Sequence, residues 1–273
     1  MRCIVLVRYS VWTLAGRTSW RIGRNPDPRA YREALFHPDR LGAHAFLFER
    51  LTLPSILSQT RPPAEDWFRL VVFTSTELPQ PNRVNLEAML APHPWARLVP
   101  MAPDEPYDLC RTVSGIAGEF AAGSDQPFVF ATARMDDDDA LSRSFFELLE
   151  PHCVTGNVGT IVSLARGYWA EFDSRNRSLT RFAVSIRPKI AAGLAMIHRF
   201  DPLSGMLEPA ATRCIYDAGS HTFVDRKYPV IVDTTQPAFL RTRYEASDSY
   251  EPARALRPEC DRDEVRLAFD LFD

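Results

Sequence analysis

Residues 128–141 read FVFATARMDDDDAL, and the organisation of the chain follows from them. An apolar run ends in Arg134 and Met135. Four aspartates come next, Asp136, Asp137, Asp138 and Asp139, and the SRSFFELLE after them reads as a helix. Strand, acidic turn, helix is where an open α/β sheet keeps its site, beyond the carboxyl ends of its strands. Four adjacent carboxylates repel one another unless a cation compensates them, and a hard divalent cation is the natural partner of clustered oxygen ligands. Most charge runs are solvated loops. This one is joined to an apolar strand on one side and an apolar helix on the other, so it reads as a metal or substrate site.

Upstream, residues 3–7 (CIVLV) form a continuous apolar run, the mark of a central strand covered on both faces. Arg8, Tyr9 and Ser10 follow, either facing a ligand or closing the strand at the surface. Residues 12–39 are rich in Trp, Arg, Gly and Pro, a cover over a site or a surface flap, with one short helix around 29–36. Residues 43–60 are helical, and Pro54 starts a new turn or kinks them. Residues 67–73 (WFRLVVF) predict a second buried strand, 84–90 a helix, 96–99 a third strand and 109–122 an amphipathic helix carrying Arg111. Alternation of this kind predicts a mainly parallel sheet with helices on both faces.

Downstream the pattern turns β-rich. Residues 159–164 and 167–172 read as two strands across a tight glycine turn, with further strand patterns at 178–184, 194–198, 222–224, 230–232 and 239–242. DRDEVRLAFDLF near the end is a short amphipathic helix. No linker separates the two patterns. The fold class is therefore α/β: one domain over residues 1–273, with a mixed, mainly parallel central sheet flanked by helices. Residues 1–141 form a nucleotide-binding-type half and 142–273 a β-rich half.

Composition narrows the function. The chain has 273 residues, a net charge of −3 and a pI near 6.1, so there is no basic field for nucleic acid. The five cysteines are far apart in sequence and form no C-x-x-C pair, which argues against a zinc site or a disulfide framework and for a reducing compartment. No apolar run reaches the eighteen or so residues of a membrane span, and the N-terminal MRCIVLVRYSVW reads as a core strand rather than a signal segment. A cytoplasmic protein is expected, with contact at the inner face of a membrane left open. Neither G-x-G-x-x-G after the first strand nor G-x-x-x-x-G-K-[ST] is present, so dinucleotide and P-loop readings lose their support. EF-hand spacing fails from Asp136 for want of Gly and Glu at the required places.

Several pieces together resemble a known family: VRYSV, TLPSILSQT, ARMDDDDAL, a Gly167-Tyr168 pair, His221 in GSHTF, and FLRTRYEASDS, between about residues 4 and 249. TLPSILSQT followed by a strand and, about sixty residues later, by MDDDDAL is similar to the opening of inverting glycosyltransferases of the GT-A fold. The whole set resembles the rhamnosyltransferase family of bacterial polysaccharide clusters. The resemblance implies a GT-A-like domain with a donor half (1–141) and an acceptor half (142–273). It implies transfer of a sugar, rhamnose by the family's name, from a UDP-, dTDP- or GDP-linked donor to a glycan or lipid-linked acceptor. Asp136 and Asp138 take the first and third places of the Asp-x-Asp motif. Asp138 would ligate Mn2+ or Mg2+, and Asp136 would contact the ribose or the metal shell. His221 is the expected third protein ligand, an imidazole suiting Mn2+.

Around that core the expected nucleotide contacts are Arg8, Ser75, Arg111, Arg134, Arg241 and Arg243, the guanidinium fork favouring a diphosphate. Asp217 is the expected base, chosen over Asp201 and Glu208 because it lies four residues before His221. Of Asp137 and Asp139, one is expected to cap the next helix near Ser142 and one to face the acceptor sugar, and Asp139 is the second expected catalytic residue. Two departures stand out. The family's last stretch tends to carry His and Asn where this chain has Tyr244 and Ser247 or Asp248. No Asp closes the second strand, where Phe73-Thr74-Ser75 stands instead. The rival readings are a metal-dependent phosphohydrolase or phosphotransferase and a non-catalytic glycan-binding relative.

Overall fold

A computed structural model describes residues 1–15, 22–245, 247 and 259–272. The first half runs β1 (Arg2–Tyr9), α1 (Pro28–Leu35), α2 (Pro38–Leu47), α3 (Leu53–Leu57), β2 (Phe68–Ser75), α4 (Gln80–Leu90), β3 (Ala96–Met101), α5 (Val113–Phe120) and β4 (Phe128–Asp136). The rest runs β5 (Ala140–Leu141), α6 (Phe145–Leu149), β6 (Ile161–Leu164), β7 (Arg166–Asp173), β8 (Ser178–Ile186), β9 (Ala195–Asp201), β10 (Met206–Glu208), β11 (Val230–Asp233), β12 (Phe239–Arg243), β13 (Glu259–Cys260) and α7 (Arg262–Arg266). Among these residues no helix is long and apolar enough to cross a membrane.

The large sheet has the order β11-β6-β9-β4-β1-β2-β3, with β10 beside β9. β4, β1, β2 and β3 are parallel, and β9 runs against β4 and β6. Both faces of β1 are covered, as its apolar run requires: Cys3, Val5 and Val7 pack into one apolar cluster, and Ile4 and Leu6 into another on the opposite face. Between α2 and α3 the backbone widens into one π turn, Phe48–Thr52, which places Pro54 in the first turn of α3, where its missing N–H does no harm.

A second sheet, β13-β8-β7-β12-β5, packs on α2 and on the C-terminal segment through Ala43, Leu47, Leu51, Tyr168, Phe172, Val265 and Phe269. This corrects the glycine-turn hairpin expected at 159–172: β6 and β7 are one residue apart yet lie in different sheets. Residues 222–224 are also not a strand but part of a 3-10 turn, His221–Arg226. The cysteine reading is corrected too. Cys110 and Cys214 form a disulfide, their Cα atoms 5.4 Å apart across 104 residues of sequence. Spacing along the chain carries no information about a pairing made by the fold.

His198 on β9 is fully buried beside Thr132, at 2.9 Å, and stacked on Phe130. Burial lowers its pKa to about 3. The native state therefore stays neutral in a window, from 6.5 down to about 3, where the unfolded chain takes up a proton; the stabilisation is complete above pH 6.5 and drains as pH falls. Wild type should lose about 2 kcal/mol more than His198→Gln between pH 7 and pH 5 in urea unfolding, and equal losses would contradict the assignment.

Candidate active site

Parallel pairing brings the ends of β1, β2 and β4 to one edge of the sheet. In the β1–β4 register Arg8 stands opposite Asp136, and Arg8 Nη2 meets Asp136 Oδ1 at 2.7 Å. They open onto a cavity of about 760 Å³, lined also by Arg134, Asp137, Asp138, Asp217, His221 and Arg241. Burial works against the Asp136 charge, but Arg8, Arg134 and Arg241 hold its carboxyl well below the usual range. Burial likewise opposes the charge of Arg8, and Asp136 more than offsets it.

The acidic turn is held from outside. Thr52 Oγ1 lies 3.0 and 2.8 Å from the carbonyls of Asp137 and Asp139, and Thr242 Oγ1 donates to the carbonyl of Asp138 at 2.8 Å. Within it the four carboxylates diverge. Asp136, Asp137 and Asp138 line the cavity. Burial, aided by Asp137 and Asp136 and opposed by His44 and a Tyr244 hydrogen bond, pushes the Asp138 carboxyl up to about 6. Asp139 is 1% exposed, accepts from the Thr242 N–H at 3.3 Å and does not line the cavity. The structure thus places this expected catalytic residue under the turn, against the β12 backbone.

Other expected residues divide the same way. Arg134 is 6% exposed, lies over the Tyr216 ring at 4.8 Å and has no carboxylate within 4 Å among the described residues. Arg241 reaches the cavity from β12, 3.9 Å from Asp139 Oδ2. Asp217 lines it too, with Oδ2 accepting from Arg213 Nε at 3.1 Å. Three do not line it. Ser75 is buried and accepts from the Glu77 N–H. Arg111 precedes α5 and pairs with Glu105 at 2.8 Å. Arg243 is buried against Trp169. Asp248 lies outside the described residues.

Sequence reading missed His44, which joins Asp137 and Tyr244 at this turn. The available signal was a histidine on the buried side of a helix, since Arg40, His44 and Leu47 of α2 share the helical spacing. It missed Tyr216 as well, whose ring Arg8 and Arg134 both cover.

The donor set fits a divalent cation. His221 Nδ1 sits 2.7 Å from the Lys189 carbonyl, which can only accept, so the ring donates there and leaves the Nε2 lone pair available. Burial, with Arg134, lowers the His221 pKa, keeping that lone pair free at neutral pH. Asp138 is a buried carboxyl crowded by like charges, a position a cation relieves. The expected trio of Asp136, Asp138 and His221 is not the tightest one: among the described residues the ligand atoms lying within 4.8 Å of one another are those of His44, Asp137 and Asp138.

A mainly parallel sheet thus carries an acidic turn beyond its strand ends, with guanidinium groups facing that turn. The chain belongs to the family described as "Putative rhamnosyl transferase", which matches residues 2–255. No curated protein matches the sequence. Among solved structures it is similar to TarS 1–349 of S. aureus, at 9% identity and TM-score 0.39 over 89% of this chain and 60% of that one. It is also similar to the mannosyltransferase PcManGT of Pyrobaculum calidifontis, solved with GDP-Man and Mn2+, at 14% identity and TM-score 0.39 over 88% and 56%. The chain thus spans little more than half the length of these two proteins, and likenesses at this level bear on neither substrate nor metal.

Proposed function

We propose that the protein is a divalent-cation-dependent inverting glycosyltransferase. It moves a sugar, rhamnose being the one its family name indicates, from a nucleotide-sugar to a glycan or lipid-linked acceptor. The observation that carries this reading is Arg134: a buried guanidinium without a carboxylate partner among the described residues, lining the cavity beside Asp136 and Asp138. Leaving a cation so placed is costly unless an anion completes it, and a nucleoside diphosphate is the anion that also uses a carboxylate-bound metal.

In this mechanism Arg134 and Arg241 hold the diphosphate and Asp136, fixed by Arg8, holds the ribose. Asp138 and His221 would hold Mn2+ or Mg2+, which as a Lewis acid stabilises charge on the leaving diphosphate. Asp217 takes the acceptor hydroxyl's proton as its oxygen bonds to the anomeric carbon and the nucleoside diphosphate departs from the opposite side.

Arg134→Met tests the reading through two opposite signs. Affinity for the nucleoside diphosphate should fall about 30-fold, the worth of a charged hydrogen bond. The ligand-free protein should become more stable, by about 1 kcal/mol, because a buried unpaired charge is gone. Unchanged affinity by calorimetry would sink the assignment. Transfer products separate the rivals, since a phosphohydrolase would release inorganic phosphate and a non-catalytic relative would bind without turnover.

A further inference from the structure

The side chains behind Asp138 form a chain of polar contacts that the mechanism above does not use. Asp137 Oδ1 lies 2.9 Å from His44 Nδ1, and His44 Nε2 lies 2.9 Å from the Tyr244 hydroxyl. That hydroxyl donates to Asp138 Oδ2 at 2.9 Å. The three residues behind Asp138 come from three places, α2, the acidic turn and the end of β12, and all are nearly inaccessible: His44 is 4% exposed, Tyr244 3% and Asp137 4%. Their surroundings are apolar. Ala43, Leu47, Leu51 and Phe172 pack in the same cluster as Tyr244, and the Tyr244 ring meets those of His44 and Phe172 edge-on.

We propose that Tyr244 and His44, braced by Asp137, are positioning residues for Asp138: they fix the rotation of its carboxylate so that Oδ1 is presented to a divalent cation. The inference rests on the reading of Asp138 as a metal ligand. Buried polar groups are costly where an apolar core would serve, so a fully connected chain of them marks a geometry that has to be held. What it holds is visible. Asp138 Oδ2 is engaged by Tyr244, no hydrogen bond engages Oδ1 among the described residues, and the side chain lines the cavity. Two like-charged neighbours, Asp136 and Asp137, would otherwise drive that carboxylate to rotate away. Outer groups of this kind orient a ligating carboxylate, and their loss typically costs about 10- to 100-fold in metal affinity.

Tyr244→Phe is the direct test, because it removes one oxygen and keeps the ring in its cluster. Mn2+ binding is read from the spectroscopic signal of the free ion, without nucleotide-sugar and without turnover. The expected result is a dissociation constant raised about 10-fold or more, while affinity for nucleoside diphosphate in the absence of metal stays within twofold. A Mn2+ constant within twofold of wild type would overturn the proposal. His44→Gln, which loses the ring between Asp137 and Tyr244, should weaken Mn2+ in the same direction and carries the test should Tyr244→Phe fail to fold. Asp138→Asn separates the layers. If it abolishes Mn2+ binding while both other variants bind like wild type, the positioning role is wrong and the metal reading stands. If Asp138→Asn itself binds Mn2+ normally, the metal reading falls and this proposal with it.

Discussion

Asp138→Ala is expected to cut turnover about a thousandfold, the equivalent of the several kcal/mol a Lewis acid gives to a departing diphosphate. The reason lies in how the acidic turn distributes its side chains. Asp136 is already engaged by Arg8, Asp137 by His44 and Asp139 by the β12 backbone. Asp138 lines the cavity, its Oδ2 is held by Tyr244, and no hydrogen bond engages its Oδ1 among the described residues. Removing it should also abolish the Mn2+-dependent part of nucleotide binding. Thermal shift with UDP-, dTDP- and GDP-sugars, with and without Mn2+, reads this apart from activity. Nucleotide-dependent stabilisation that survives unchanged in the presence of metal would falsify the metal-site reading.

Gly167→Ala should produce the largest loss of stability. Gly167 pairs with Phe239 where β7 and β12 run parallel, and a Cβ there would fall 2.2 Å from the Phe239 carbonyl oxygen and 2.7 Å from its ring. Neither neighbour can step aside: one is backbone in a sheet, and Phe239 is fully buried. The strands would have to part, at a cost of about 3 kcal/mol or more, which in a chain of this size lowers Tm by about 6–12 °C. Because β12 carries Arg241 and Thr242, the same change should weaken nucleotide binding. A melting temperature within 2 °C of wild type would show that the strands tolerate the methyl group.

The first half of the chain was legible because its signals are local. Continuous apolar runs gave β1, β2 and β4, and the motif at the end of β4 marked the edge where the site lies. Arg8, Arg134, Asp136, Asp138, Asp217, His221 and Arg241 do meet in one cavity. What sequence could not show depends on long-range pairing. The break between β6 and β7 looks like a hairpin turn until the strands are seen to join different sheets. His44 is more than ninety residues from the turn it touches, and Cys110 finds Cys214 only through the fold. Ser75 and Arg111 misled for a related reason. Ser75 ends β2 and Arg111 was read on a helix, but the side chain of each is spent on a local turn or a neighbouring acid.

The acidic turn is shaped by residues it does not contain. One hydroxyl, Thr52, serves two of its carbonyls, Ser55 Oγ accepts from the Leu141 N–H at 3.2 Å, and Thr242 closes the third side. The tetrad of aspartates is therefore not a portable cassette. Grafted alone onto another strand end it would carry the charges without the mould, and a transplant that kept the function would have to bring the π turn and the tip of β12 along with it.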